Sequence, residues 1–231
     1  MVIYVDTGDI AQIEKYCADE RIGGATTNPS LARKVGITRY RDFANAAIRA
    51  SNGKPISLEV LADDWPTMEA QARELAALAP NVWVKIPITN TKGESSRPLI
   101  EKLADLNLNI TAVMTPQQME SVADILKPTD IISIFMGRIM DTLLMDYLFW
   151  YPKKKEPWTF DDQFEKRPCK LLWASTREVW NWGQASEHGF DIITMSPELI
   201  EKKHALYHKN HTQYSLETVR QFYEDGKGIE W

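Results

Sequence analysis

Short runs rich in β-branched and aromatic residues recur along this chain with amphipathic stretches between them, and that alternation restricts the fold more than any other feature. Eight such runs stand out: Val2–Asp6, Ile22–Thr26, Ile56–Leu61, Val82–Pro87, Leu106–Ala112, Ile131–Phe135, Leu171–Ser175 and Phe190–Met195. The pattern is that of a parallel sheet built from βα units. The segments Asp9–Ala18, Tyr40–Ala50, Thr67–Leu78, Arg97–Leu106 and Pro116–Leu126 place apolar residues three and four apart, the spacing of amphipathic helices. Asp9 and Thr67 are expected helix N-caps, and Pro116 suits a first helical turn. Eight strands with helices between most of them predict an α/β fold, a single (β/α)8 TIM barrel in which no strand keeps an unpaired edge. A doubly wound open sheet is the alternative.

The pattern breaks over Arg138–Lys170, where a Met-, Leu- and aromatic-rich stretch meets two prolines and a charge run, Tyr151-Pro152-Lys153-Lys154-Lys155-Glu156-Pro157. A shortened sixth helix followed by an exposed loop is expected there. Beyond Pro197 two further helical segments, Pro197–Tyr207 and Ser215–Asp225, exceed what a closed barrel needs, so 197–231 reads as a C-terminal helical extension of one domain.

Lys+Arg 27 against Asp+Glu 32, a net charge of −5, offers nothing global to nucleic acid or an anionic membrane. No stretch of about 18 apolar residues and no secretory leader pattern occurs, so a cytoplasmic protein is expected. Cys17 and Cys169 lie far apart without metal-ligand spacing, which fits a reducing compartment and no structural metal. His204 and His208 are four apart, but without a carboxylate motif they read as helix-end charges rather than ligands. No Gly-rich nucleotide cradle is present, and no cofactor is expected.

In a barrel of this kind reactive groups sit at the carboxyl ends of the strands. Those ends carry Asp6, Asn28, Glu59, Lys85, Asn109, Thr111, Ser133, Phe135, Arg138, Ser175 and Arg177. Lys85 is the one ammonium inside the apolar run Val82-Trp83-Val84-Lys85-Ile86-Pro87-Ile88. Desolvation favours the neutral amine that attacks a ketone or aldehyde to form a Schiff base. The alternative is a structural pairing of Lys85 with Glu59 or Asp6. Asp6 and Glu59, on different strands, suit the proton transfers around an imine. Arg138, Ser175 and Arg177 follow successive strands, and guanidinium forks suit a phosphate.

The ordered set Val5-Asp6-Thr7, Ala25-Thr26-Thr27-Asn28-Pro29-Ser30, Val84-Lys85-Ile86-Pro87, Asn109-Ile110-Thr111, Ser133-Ile134-Phe135-Met136-Gly137-Arg138 and Ala174-Ser175-Thr176-Arg177 resembles the transaldolase family. The resemblance is to its short subfamily, which also contains fructose-6-phosphate aldolases, and covers nearly the whole chain. It implies that Lys85 forms the Schiff base with C2 of a ketose phosphate, that Asp6 exchanges the C4 hydroxyl proton, and that Glu59 and Thr111 hold the imine-forming water. Asn28, Asn109 and Ser133 would bind the dihydroxyacetone unit, and Arg138, Ser175 and Arg177 the phosphate. It also implies a homo-oligomer acting on sugar phosphates. Glu59 and Phe135 favour transfer, since fructose-6-phosphate aldolases look like Gln and Tyr at these positions and Phe135 has no proton to donate. A hydrolytic, dihydroxyacetone-releasing aldolase and a sugar-phosphate-binding protein without turnover are the alternatives. The chain departs from the family pattern at Ile134, usually proline, at Thr176, usually Phe, and over Met145–Arg167, which does not match the sixth helix.

Overall fold

Parallel pairing carries each strand to its sequence neighbour and the last back to the first. In a computed structural model that describes residues 1–142 and 168–230, the strands are β1 Val2–Asp6, β2 Ile22–Thr26, β3 Ile56–Glu59, β4 Val82–Pro87, β5 Leu108–Val113, β6 Ile131–Ile134, β7 Lys170–Trp173 and β8 Ile192–Met195. They close as a barrel in the order β1 to β8, with β1 paired to β8 through Val2↔Ile192 to Val5↔Met195. The chain is a (β/α)8 barrel. The open-sheet alternative fails because β1 finds its second partner in β8, leaving no edge.

The period of two sorts each strand into two cores. Ile3, Val5, Val84, Ile86, Leu108, Ile110, Ile132 and Ile193 face the surrounding helices in the large outer core. Tyr4, Ile131, Leu172, Ala174 and Ile192 form a small separate cluster with Trp83 and Phe135 against it. Gly24 makes room for this inner cluster: a Cβ there would stand 2.8 Å from Tyr4 Cζ and 2.6 Å from the Pro55 carbonyl.

Several boundaries differ from the sequence reading, each for a local reason. β3 stops at Glu59 rather than Leu61, because Gln71 Oε1 accepts from the Leu61 and Ala62 amides (2.7 and 3.0 Å) and draws the chain out of the sheet. The next helix spans Trp65–Leu78 and is capped by Asp64, not Thr67; the Asp64 carboxylate accepts from Thr67 N at 2.9 Å. Arg97–Lys102 and Pro116–Ala123 are shorter than expected, their last periodic residues falling in turns. A helix absent from the reading, Pro29–Lys34, follows β2 with Asn28 as its N-cap (Leu31 N to Asn28 Oδ1, 2.9 Å). After β6 a helix runs over Met136–Thr142; the rest of the expected sixth helix and nearly all of its loop lie outside the described residues.

In the C-terminal extension, Pro197–Leu206 docks on the barrel, where Tyr16 OH donates to the Pro197 carbonyl (3.2 Å) and Glu201 meets Lys15 and Tyr16, both at 2.8 Å. The last helix starts at His211, earlier than Ser215, because Asn210 Oδ1 caps it by accepting from Thr212 N and Gln213 N. It buries no residue and exposes Leu216, Val219, Phe222 and Tyr223. No helix among the described residues is long and apolar enough to cross a membrane.

One close approach ties the ends of β6 and β7 together. Ser175 adopts φ 62°, and a Cβ on Gly137 would stand 1.6 Å from the Ser175 carbonyl oxygen. Gly137→Ala should therefore destabilise the fold by an amount at or above the upper end of the ~1–3 kcal/mol usual for overpacking, read as a lower urea midpoint at unchanged m.

Candidate active site

The inward positions near the carboxyl end of the barrel are polar, in contrast to the cluster beneath them. Register sets Glu59 beside Lys85 and Lys85 beside Asn109, so three adjacent strands deliver a carboxylate, an ammonium and an amide side by side. Lys85 Nζ lies 3.1 Å from Glu59 Oε2, and their side chains are only 7 % and 15 % exposed. The ammonium also donates to the Thr27 carbonyl at 2.8 Å. Lys85 is thus buried and paired with Glu59, one of the two partners the structural alternative named. A buried pair of this kind is held by its own completeness, because removing one partner commonly costs about 3–5 kcal/mol.

Around the pair runs a chain of satisfied polar groups. Ser133 Oγ donates to Asn109 Oδ1 (2.7 Å), and Asn109 Nδ2 donates to Ser57 Oγ (3.1 Å). Tyr40 OH accepts from Glu59 N at 2.9 Å. Burial pushes the Tyr40 phenol up to about 12, so it stays protonated. On the other side Thr26 Oγ1 donates to Asp6 Oδ1 (2.7 Å) and lies 2.5 Å from Thr194 Oγ1. Burial raises Asp6 above the usual carboxylate range, opposed by the Thr26 hydrogen bond and the Lys85 charge and reinforced by Glu59.

A cavity of about 110 Å³ opens among these groups, lined by Asp6, Thr26, Asn28, Lys85, Thr111, Ser133, Phe135, Arg138, Leu172, Ala174, Ser175 and Thr194. Two backbone irregularities shape it. β5 bulges against β6 between Ile110 and Val113, with Ala112 at φ 61°, and this leaves the Thr111 hydroxyl buried without a hydrogen-bond partner. Ser175, just past the end of β7, is the other irregularity, also left-handed. Such conformations concentrate where a surrounding scaffold over-determines them.

Eight of the residues named from sequence line this cavity: Asp6, Asn28, Lys85, Thr111, Ser133, Phe135, Arg138 and Ser175. Glu59 and Asn109 stand behind the lining, bonded to Lys85 and Ser133. Asn28 spends its amide oxygen on the helix cap, leaving its NH2 for a ligand. Arg138 stacks over the Phe135 ring, 5.1 Å from guanidinium to centroid. Arg177 is not in the lining; its Nε and Nη2 bind Asp141 Oδ2 at 3.1 and 2.6 Å. The sequence reading did not single out Thr194, Ser57, Tyr40 or the Thr27 carbonyl. Ser57 and Thr194 were accessible by parity, two residues from Glu59 and from Ile192 on their strands. Tyr40 carries no such signal, since it reaches in from a helix. The hydroxyl of Thr176 donates to the Thr194 carbonyl at 2.6 Å, a local use for a side chain that departs from the family pattern. Among the described residues no cluster of His, Cys, Asp or Glu is arranged to hold a metal.

A closed eight-stranded barrel thus carries a lysine–glutamate pair and a second carboxylate at its carboxyl end. The family model described as Transaldolase/Fructose-6-phosphate aldolase matches residues 3–230, and the chain belongs to that family of aldolase-type enzymes. A relative named "Probable transaldolase" from Exiguobacterium sp. is 31 % identical over 221 residues, covering 93 % of this chain and 95 % of the relative. Another of the same name from Mesorhizobium japonicum is 32 % identical over 207 residues, covering 87 % and 88 %. Among solved structures, 2,3-dimethylmalate lyase aligns with TM-score 0.53 and 12 % identity over 99 % of this chain and 84 % of that one, a likeness of fold alone.

The raised Asp6 has a consequence for stability. Above the unfolded pKa the unfolded chain releases this proton while the folded chain retains it, so the Asp6 contribution to stability falls as pH rises from 3.8 towards the raised folded value. Asp6→Asn, which keeps an oxygen to accept from Thr26, should therefore stabilise the protein at pH 7, within the ~0.5–2 kcal/mol common for stabilising substitutions. The gain should shrink towards pH 4. Urea midpoints at the two pH values check this, and an equal or larger gain at pH 4 would contradict it.

Proposed function

We propose that this protein is a Schiff-base transaldolase that moves a dihydroxyacetone unit from a ketose phosphate to an aldose acceptor. The observation that carries the reading is Lys85, buried in the barrel, 3.1 Å from Glu59 and lining a cavity that Asp6 also lines. Glu59 takes the ammonium proton, which frees the amine to attack C2 of the ketose. Loss of water from the carbinolamine gives the protonated imine. Asp6 then removes the C4 hydroxyl proton, the C3–C4 bond breaks, and its electron pair moves into the imine to give an enamine while the aldose phosphate leaves. The enamine carbon attacks the acceptor aldehyde, Asp6 returns the proton to the new hydroxyl, and water hydrolyses the imine.

Other features support the same reading. The orphaned Thr111 hydroxyl, together with Glu59, offers a place for the water that the imine releases and later consumes. Asn28, Asn109 and Ser133 supply the polar edge for the retained three-carbon unit. Phe135 presents a ring with no proton to give the enamine, which favours transfer over hydrolysis. Arg138 and Ser175 in the lining are the anchors for an anionic group, with Arg177 held beside them by Asp141.

Borohydride with fructose 6-phosphate should add a sugar-fragment mass to the Lys85 peptide, and Lys85→Arg should abolish both trapping and turnover because its guanidinium stays protonated. Trapping at another lysine with Lys85→Ala fully active would sink the proposal. Release of free dihydroxyacetone without acceptor, as fast as transfer, would assign the lyase activity instead.

The two arginines should differ. Arg138→Ala should cut the preference for phosphorylated over unphosphorylated substrate in kcat/KM by roughly 10- to 100-fold, the loss of one charge-assisted contact. Arg177→Ala should cut it less, because Asp141 already occupies its Nε and Nη2. An unchanged preference in Arg138→Ala would move the anion site elsewhere.

A further inference from the structure

Asp6 is joined to β2 and β8, the two neighbours of β1, through hydroxyls whose proton directions follow from its ionisation state. A carboxylate only accepts, so the single hydrogen of Thr26 Oγ1 is committed to Asp6 Oδ1 at 2.7 Å. Thr194 Oγ1 lies 2.5 Å from Thr26 Oγ1 and must then be the donor in that contact. The opposite order would begin with a proton on Asp6 and end with Thr194 donating outward. Among the described residues its one further acceptor in reach is the Tyr4 carbonyl at 3.5 Å, the outer limit of a hydrogen bond. The chain Thr194 to Thr26 to Asp6 is well made in one direction and poorly ended in the other. The Thr194 backbone is itself pinned by Thr176 Oγ1, 2.6 Å from the Thr194 carbonyl.

We propose that Thr194 is a positioning residue, whose hydroxyl acts through Thr26 to hold Asp6 as an oriented carboxylate with Oδ2 free for the substrate. Oδ2 makes no hydrogen bond to the protein among the described residues, whereas Oδ1 is engaged. Among the described residues the charges that act on Asp6 are Lys85 from β4 and Glu59 from β3, in opposite directions, while Arg138 lines the same cavity; β2 and β8, its neighbours in the barrel, bring it the two hydroxyls. Burial drives Asp6 towards its neutral form, so the hydroxyl chain supplies a counterweight at the strands where no cation stands. Its place in the cleavage step rests on the transaldolase reading, while the anchoring of Asp6 does not.

The test separates these two. Carbon-13 NMR of aspartate-labelled protein without substrate, with Asp6→Asn used for assignment, reads the Asp6 titration directly. Thr194→Val, which keeps shape and removes the donor, should strengthen proton binding at Asp6 by about 3-fold or more, an upward move of roughly half a pH unit. Thr194→Ser should stay within about 0.2 of a unit of the wild type. Thr194→Ala serves if the valine variant does not fold. The acid limb of kcat/KM for ketose phosphate cleavage should move up with the titration, whereas a packing defect lowers the plateau without moving the limb. A valine variant that titrates like the wild type, or a serine variant that shifts as far as valine, would overturn the proposal. The NMR shift with no Lys85 trapping in the wild type would instead overturn the transaldolase reading and leave the hydroxyl chain standing.

Discussion

The Lys85–Glu59 pair is the interaction around which the rest of the barrel is arranged. Two unlike charges that are only 7 % and 15 % exposed cannot be left to find water, so they must find each other and a third partner. Register between β3 and β4 puts them on neighbouring strands at the same height, and the Thr27 carbonyl on the far side of β3 supplies the third contact. That geometry needs β2, β3 and β4 to be adjacent and parallel. Closure of the barrel then sets Asp6 and Thr194, on β1 and β8, across the same cavity.

A polar barrel centre contributes little to stability, and the structure divides its labour accordingly. The outer core between strands and helices is large and apolar, while the inner cluster is confined to Tyr4, Ile131, Leu172, Ala174 and Ile192 with two neighbours. Above that plug every described strand except β7 turns a polar side chain inward, and β7 offers Leu172 and Ala174. Leu172, Ala174 and Phe135 of this cluster also line the cavity, so the apolar plug borders the polar layer directly. The low local dielectric there strengthens the Lys85–Glu59 attraction and also lifts Asp6.

Much of this was legible in the sequence because the strand signal and the chemical signal share one periodicity. A lysine two places from the apolar end of a β-branched run is visible as an anomaly, and so are carboxylates at the ends of other runs. The helix Pro29–Lys34 was not, since six residues carry too little periodicity and Asn28 reads equally as cap or ligand; in the structure its two amide atoms separate those uses. The cap at Asp64 was hidden behind Trp65-Pro66, which enters the first turn. Tyr40 and Asp141 were out of reach for a different reason. Each acts from a helix on a residue belonging to a strand end or the loop after it, and the sequence carries no distance between them. Arg177 shows the effect: its type and position point to an anion, while its partner is set by a helix that packs beside it.

Several strained or unsatisfied groups stand around the cavity, although Asn52 is also left-handed and Gln12 Oε1 and Trp173 Nε1 are also buried without a partner. Ala112 and Ser175 hold left-handed conformations, Thr111 keeps a buried hydroxyl without a partner, and Asp6 is lifted by burial. None of these favours the folded state, and each faces or adjoins the cavity. Conformations and charges of this kind persist only where the surroundings fix them, and here the surroundings are the outer core and the parallel ladder. It follows that the two periodic faces of each strand answer to different demands. Substitutions at outward positions such as Val84 or Ile110 act on the scaffold that imposes the geometry. Substitutions at their inward neighbours, Lys85 and Thr111, act on the polar cavity that the scaffold holds in an unfavourable arrangement.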